Sequence, residues 1–126
     1  MSAPRRLPVV ATRRFERALE AVLDYYGSLR HLHPEAGSRA LRLIELLEGE
    51  LPRLLAAQPD IGRPAQLSLT QSESEKHWVT RLAPLTARRR LQAREWRLGE
   101  FWILYYRGSN ALYLASARHE REAEYR

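Results

Sequence analysis

Three features of the sequence predict an α+β fold in which an N-terminal strand and a two-helix hairpin pack on a C-terminal antiparallel sheet. Apolar residues recur at helical spacing through two segments of the first half, and they crowd into alternating aromatic and β-branched runs near the end. A short Val-rich run precedes the first helical segment. Helices grouped ahead of the strands imply that the helical pair covers one face of the sheet. At 126 residues the chain buries roughly two thirds of its extended surface, enough for a single domain over residues 1–126 with one hydrophobic core.

The elements follow in order. Arg6 to Ala11 reads as a short edge strand, because Pro8 cannot donate to a ladder. Thr12 is placed to cap a helix whose stripe is Phe15, Ala18, Leu19, Val22, Leu23 and Tyr26, with Gly27 as its stop. The link Ser28 to Pro34 suits a helix hairpin. A second helix starts near Glu35 and keeps its apolar period from Ala40 to Leu55, with a break at Gly49 and Pro52 in the first turn of a continuation. Pro59 to Pro64 is a turn cluster in which Gly62 is expected to supply a positive φ.

Residues 65–80 are polar, and Ser72 to Lys76 reads as a mobile loop. Thr86 to Arg94 is expected to form one or two helical turns with Arg88, Arg89, Arg90 and Arg94 outward. Arg94 to Leu98, Glu100 to Arg107 and Ala111 to Ala117 read as three strands, the last two joined by a hairpin at Gly108-Ser109-Asn110. Arg118 to Arg126 is a charged tail of one or two helical turns. Trp102, Leu104 and Tyr106 share one side of their strand, and Phe101, Ile103 and Tyr105 the other. Both sides are apolar, so the helices cover one. The other is either covered by residues 65–95 or left as a groove.

The net charge is +6, and the 21 basic residues are 20 Arg and one Lys, Lys76. Arg grips phosphate and carboxylate bidentately. Residues 31–63 carry four basic and five acidic side chains, so the excess lies on either side of the second helix and suggests a basic surface facing a polyanion. The absence of cysteine excludes disulfides, thiol catalysis and Cys-ligated zinc. His31 and His33 lack a third ligand cluster and read as a solvated loop, so no metal site and no cofactor are expected. No run approaches 18 apolar residues and no secretory signal is visible, so the expected setting is cytoplasmic with no membrane partner.

The order of elements resembles the RelE/ParE superfamily of bacterial toxins from type II toxin–antitoxin pairs. The residues that carry the resemblance are Leu23-Asp24-Tyr25-Tyr26, the run from Ala40-Leu41-Arg42 through Leu54-Leu55 to Pro59-Asp60-Ile61-Gly62-Arg63-Pro64, and Phe101 to Arg107 followed by Ala117-Arg118-His119-Glu120-Arg121-Glu122. Residues 65–95 are longer than the family's usual connection. The resemblance implies a cognate antitoxin as partner in a hetero-oligomer, and one of two targets. RelE-like members cut mRNA in the ribosomal A site, whereas ParE-like members share the fold and poison DNA gyrase.

Carried onto this sequence, the RelE-like site comprises Arg97, His119, Arg121 and Tyr125. In that reading His119 shuttles a proton, Arg97 and Arg121 hold the scissile phosphate, and Tyr125 stacks on a base or donates a proton. Trp102 stands where RelE-like enzymes often have Arg, and losing one preorganised charge costs about 10²–10³ in rate. The resemblance therefore favours ParE-like growth inhibition through gyrase. A ribosome-dependent endoribonuclease and a non-toxic binding module of the same fold are the alternatives. Arg118 and the run Arg88-Arg89-Arg90 are expected to meet the target or nucleic acid, the run alternatively being a solvated helix face. Trp102, Leu104 and Tyr106 are expected to form an open sheet face that receives the antitoxin.

Overall fold

The computed structural model describes residues 6–29, 34–82 and 91–126. It is an α+β arrangement in which helices lie on both faces of a five-stranded sheet of order β1-β5-β4-β3-β2. The edge strand expected at the N-terminus is present as β1 (Val9–Ala11). It runs parallel to β5 (Leu112–His119), so the sheet as a whole is mixed, while its C-terminal strands pair antiparallel as expected. Thr12 ends the strand and starts the first helix with one side chain: its Oγ1 accepts from the Phe15 amide (3.2 Å) and donates to the Leu114 carbonyl (2.6 Å).

Helix α1 (Arg13–Leu29) buries Phe15, Ala18, Val22 and Tyr26, the spacing expected of an apolar stripe. It continues through Gly27, so that residue is not its stop. The second helical segment consists of α2 (Ala36–Glu45), a π-helical turn (Leu46–Glu50) and α3 (Leu51–Ala57). The break expected at Gly49 is that wide turn, in which the Leu51 amide reaches back to the Leu46 carbonyl. Pro52, in the first turn of α3, has no N–H to offer the ladder, and the wider turn absorbs the loss.

Gly62 does not take a positive φ; among the described residues only Gly99 does (61°). Glycine is required at 62 by close approach, since a Cβ there would lie 2.7 Å from both the Glu95 carbonyl oxygen and the Tyr105 hydroxyl. The next segment departs most from expectation. After β2 (Arg63–Pro64), residues Leu69–Leu82 form a helix, α4, which includes the stretch Ser72 to Lys76 expected to be a loop. The expected helical turns of 86–94 fall partly outside the described residues, and Gln92 to Arg94 already belong to β3 (Gln92–Leu98). The meander of β3, β4 (Phe101–Arg107) and β5 is antiparallel, with Gly108 and Ala111 closing the last hairpin (2.9 Å). Strand β5 runs on to His119, and the tail behind it is turns and bends in place of the expected helix.

Both faces of β4 are covered. Phe101, Ile103 and Tyr105 pack under α1 to α3, together with Leu43, Leu51 and Leu55. On the other face Leu104 and Tyr106 form a second core with Ala115 and Tyr125, against which Trp78 and Val79 of α4 pack. The face expected to stand open for an antitoxin is therefore closed: Leu104 is fully buried and Tyr106 nearly so. Of the three residues assigned to it, only Trp102 keeps partial exposure.

Candidate functional site

A bulge in β5 decides which residues share a face. Leu104 pairs with Ser116 and Tyr105 with Leu114, which leaves Ala115 as the extra residue. Without it the alternation of β5 would continue unbroken. With it, Ala117 and His119 join Leu112 and Leu114 on the helix side, and Arg118 turns to the α4 side, as bulges re-aim side chains elsewhere.

The cross-strand rows follow. Arg97, Trp102 and Arg118 are direct neighbours on β3, β4 and β5. Leu98, Phe101 and His119 form the adjacent row on the opposite face. The four residues expected to act together are thereby divided. Arg97 and Tyr125 lie on the α4 side, while His119 and the Arg121 amide that bonds it lie at the helix side.

On the helix side His119 stands edge-on to Phe101 (centroids 5.3 Å apart) and uses both ring nitrogens internally. Nδ1 accepts from the Arg121 amide (3.1 Å), so the neutral ring carries its proton on Nε2 and donates it to Glu100 (2.9 Å). Glu100 in turn faces Arg39 at 3.7 Å. The neighbouring Tyr26 phenol is pushed above its ordinary pKa, first by burial and then by the Glu100 charge. A carboxylate that orients a histidine is the arrangement a general base uses. Here the nitrogen that would meet substrate is capped by the backbone. The Arg121 side chain is exposed and lines the cavity beside Tyr25.

On the α4 side three guanidiniums surround one indole: Arg63 at 4.1 Å, Arg97 at 5.9 Å and Arg118 at 5.9 Å from the Trp102 ring. Two of the three charges are answered by carboxylates. Arg63 Nε donates to the fully buried Glu95 (2.9 Å), and Arg97 pairs with Glu120. Arg118 bonds the Glu122 carbonyl (2.8 Å) and stacks 5.1 Å over Tyr125.

Tyr125 is buried and donates to the second oxygen of Glu95 (2.6 Å), while its amide donates to Gln71 of α4 (2.8 Å). Burial first, and then that carboxylate, push its phenol well above the ordinary value. It is a structural tyrosine in the fold described. A parallel pair lies one strand along, where Tyr106 donates to Glu75 (2.6 Å) and Arg14 holds the same carboxylate.

The expected target-binding run Arg88 to Arg90 and the pair His31 and His33 lie outside the described residues. Among the described residues no group of three or more His, Asp and Glu side chains could hold a metal ion. Likewise, no helix is long and apolar enough to cross a membrane. The residues that the sequence did not reveal are Glu95 and Glu100. Glu95 had a signal, a lone carboxylate alternating in step with Ala93 on a strand whose neighbour is apolar on both sides. The importance of Glu100 depends on the bulge in β5, the strand paired with β4, which turns His119 toward it, and had none. Compared with known proteins, the chain matches no family model and no curated protein.

Proposed function

We propose that this chain is the toxin of a type II toxin–antitoxin pair, with the RelE/ParE arrangement, and that it inhibits growth in the ParE manner by binding DNA gyrase. The division of Arg97, His119, Arg121 and Tyr125 between two faces of the sheet carries the choice of mechanism. An RNA-cutting site needs its base, its acid and its phosphate clamps around one phosphodiester. In this chain the histidine nitrogens and the tyrosine hydroxyl are all taken by internal partners. A binding mode of action needs no such convergence. The helix hairpin laid over an antiparallel meander, with arginine at its rim, supports the family reading.

Induction of the chain alone is expected to arrest growth, and co-expression of the neighbouring small gene to relieve the arrest. Purified protein should trap DNA cleavage complexes in a gyrase supercoiling assay and leave mRNA on translating ribosomes uncut. His119→Ala should keep full toxicity. Cuts in the A site that disappear in His119→Ala would replace this reading with the ribonuclease. Soluble expression without a growth defect would remove the toxin reading altogether.

A further inference from the structure

Three cavities lie end to end along one flank of α1. The first, of 430 Å³, is bounded by Arg14, Arg17, Ala21, Trp78 and Arg126. The second, of 260 Å³, shares Ala21 and Arg126 with it and continues to Tyr25, Phe101 and Arg121. The third, of 420 Å³, shares Tyr25, His119 and Arg121 with the second and ends at Arg39. They make one groove between α1 and the C-terminal segment. Ala18 and Ala21 leave its helical wall low, and Val22 and Phe101 give it an apolar floor.

The distance from Arg14 to Tyr25 along α1 is about 16 Å at the helical rise per residue. That is room for roughly five residues of extended chain.

The rim is basic along the first two cavities, while the third carries Glu35, Glu100 and Glu120 against Arg39 and Arg121. The first two cavities are lined by Arg14, Arg17, Arg121 and Arg126 against the single carboxylate Glu122. Arg14 is spent on Glu75 and Arg126 on Glu122. Among the described residues the Arg17 and Arg121 side chains have no carboxylate partner, and both are exposed on opposite walls of the groove. Tyr25, 56% exposed on a helix whose other aromatics are buried, lines the second cavity beside Arg121.

We propose that this groove docks an acidic segment of a partner protein. Its carboxylates bridge Arg17 and Arg121, and one apolar side chain between them sits over Ala21 against Tyr25 and Phe101. Aromatic anchors with flanking guanidiniums are what peptide-binding surfaces use for affinity and register. In the toxin reading above that segment would belong to the antitoxin. The groove itself does not depend on the chain being toxic.

The test is a selection of random twelve-residue displayed peptides on the immobilised full-length protein, read by direct binding and without any growth assay. Enriched peptides should combine Asp or Glu with Leu, Phe or Trp. They should lose at least tenfold in affinity on Arg121→Glu and on Ala21→Trp, which fills the groove without changing charge. Arg42→Glu, an equal charge change at an exposed site on α2, should change affinity less than twofold. Thermal unfolding of each variant shows whether it keeps its fold, and Arg121→Glu, at an exposed side chain, stands as the test if Ala21→Trp does not fold. Failure to enrich any peptide, or peptides that respond equally to Arg42→Glu, would overturn the proposal. Peptide binding by a protein that causes no growth arrest would leave the groove and remove only the toxin reading.

Discussion

Two tyrosines and two glutamates do at residue scale what a larger apolar core would do elsewhere. Tyr106 with Glu75 and Tyr125 with Glu95 each place a phenol against a buried carboxylate, and Arg14 and Arg63 supply the countercharges. A buried carboxylate is tolerated only when such donors surround it. Both phenols are held above their ordinary pKa, chiefly by burial and next by the carboxylate they bond. The sign of the pH effect follows. Unfolded tyrosine releases its proton near pH 10, and the folded protein retains it, so the unfolded state binds fewer protons above that pH. The stability due to these two groups is complete below about pH 10 and falls as pH rises beyond it. In an alkaline titration followed by phenolate absorbance and near-UV circular dichroism, Tyr106 and Tyr125 are expected to ionise only as tertiary structure is lost. Ionisation of all six tyrosines with the dichroism unchanged would contradict that.

At the scale of elements, α1 was legible because its period faces a single core, and β4 and β5 because apolar, aromatic-rich runs bounded by turn residues mark strands even where both faces are covered. Helix α4 was not, and the reason lies in what it buries. The residues it turns inward begin with Gln71 and Glu75 and reach apolar character only at Trp78 and Val79. Gln71 is there to accept the Tyr125 amide and Glu75 to accept the Tyr106 hydroxyl, partners more than 30 residues away that no local window contains. One local signal was present, Ser68 followed three residues later by Gln71, the spacing of a capping box. Half of the box is realised: Ser68 Oγ accepts from the Gln71 amide (3.1 Å), while the Gln71 side chain serves Tyr125 instead of returning to the cap. Ser68→Ala should therefore cost about 1 kcal/mol of stability. Faster amide exchange concentrated in the first turn of α4 would locate the effect there, and an unchanged urea midpoint would show that the cap contributes nothing.

For the molecule as a whole, part of the charge expected from 20 arginines is answered within the fold. Arg14, Arg39, Arg63, Arg97, Arg107 and Arg126 each face a carboxylate. The sequence announces the surplus but not the pairing, because Arg97 meets Glu120 across 23 residues and Arg63 meets Glu95 across 32. The candidate site was legible in the same partial way. His119 and the Arg121 amide are adjacent in space as in sequence, whereas the bulge at Ala115 separates them from Arg97 and Tyr125. Arg97 offers a direct measure of how much charge the fold withholds. It sits beside Trp102 and Arg118 with half its side chain exposed, and Glu120 is the carboxylate that answers it. Glu120→Gln removes that charge while keeping the shape, leaving Arg97 free to meet a phosphate. Each added contact with duplex DNA releases counterions and steepens the dependence of log K on log salt by about 0.9. Fluorescence anisotropy with a short duplex over a range of salt should show the variant's slope steeper than the parent's by about that amount. Parallel slopes would mean that stacking on Trp102, and not the ion pair with Glu120, keeps Arg97 from the nucleic acid.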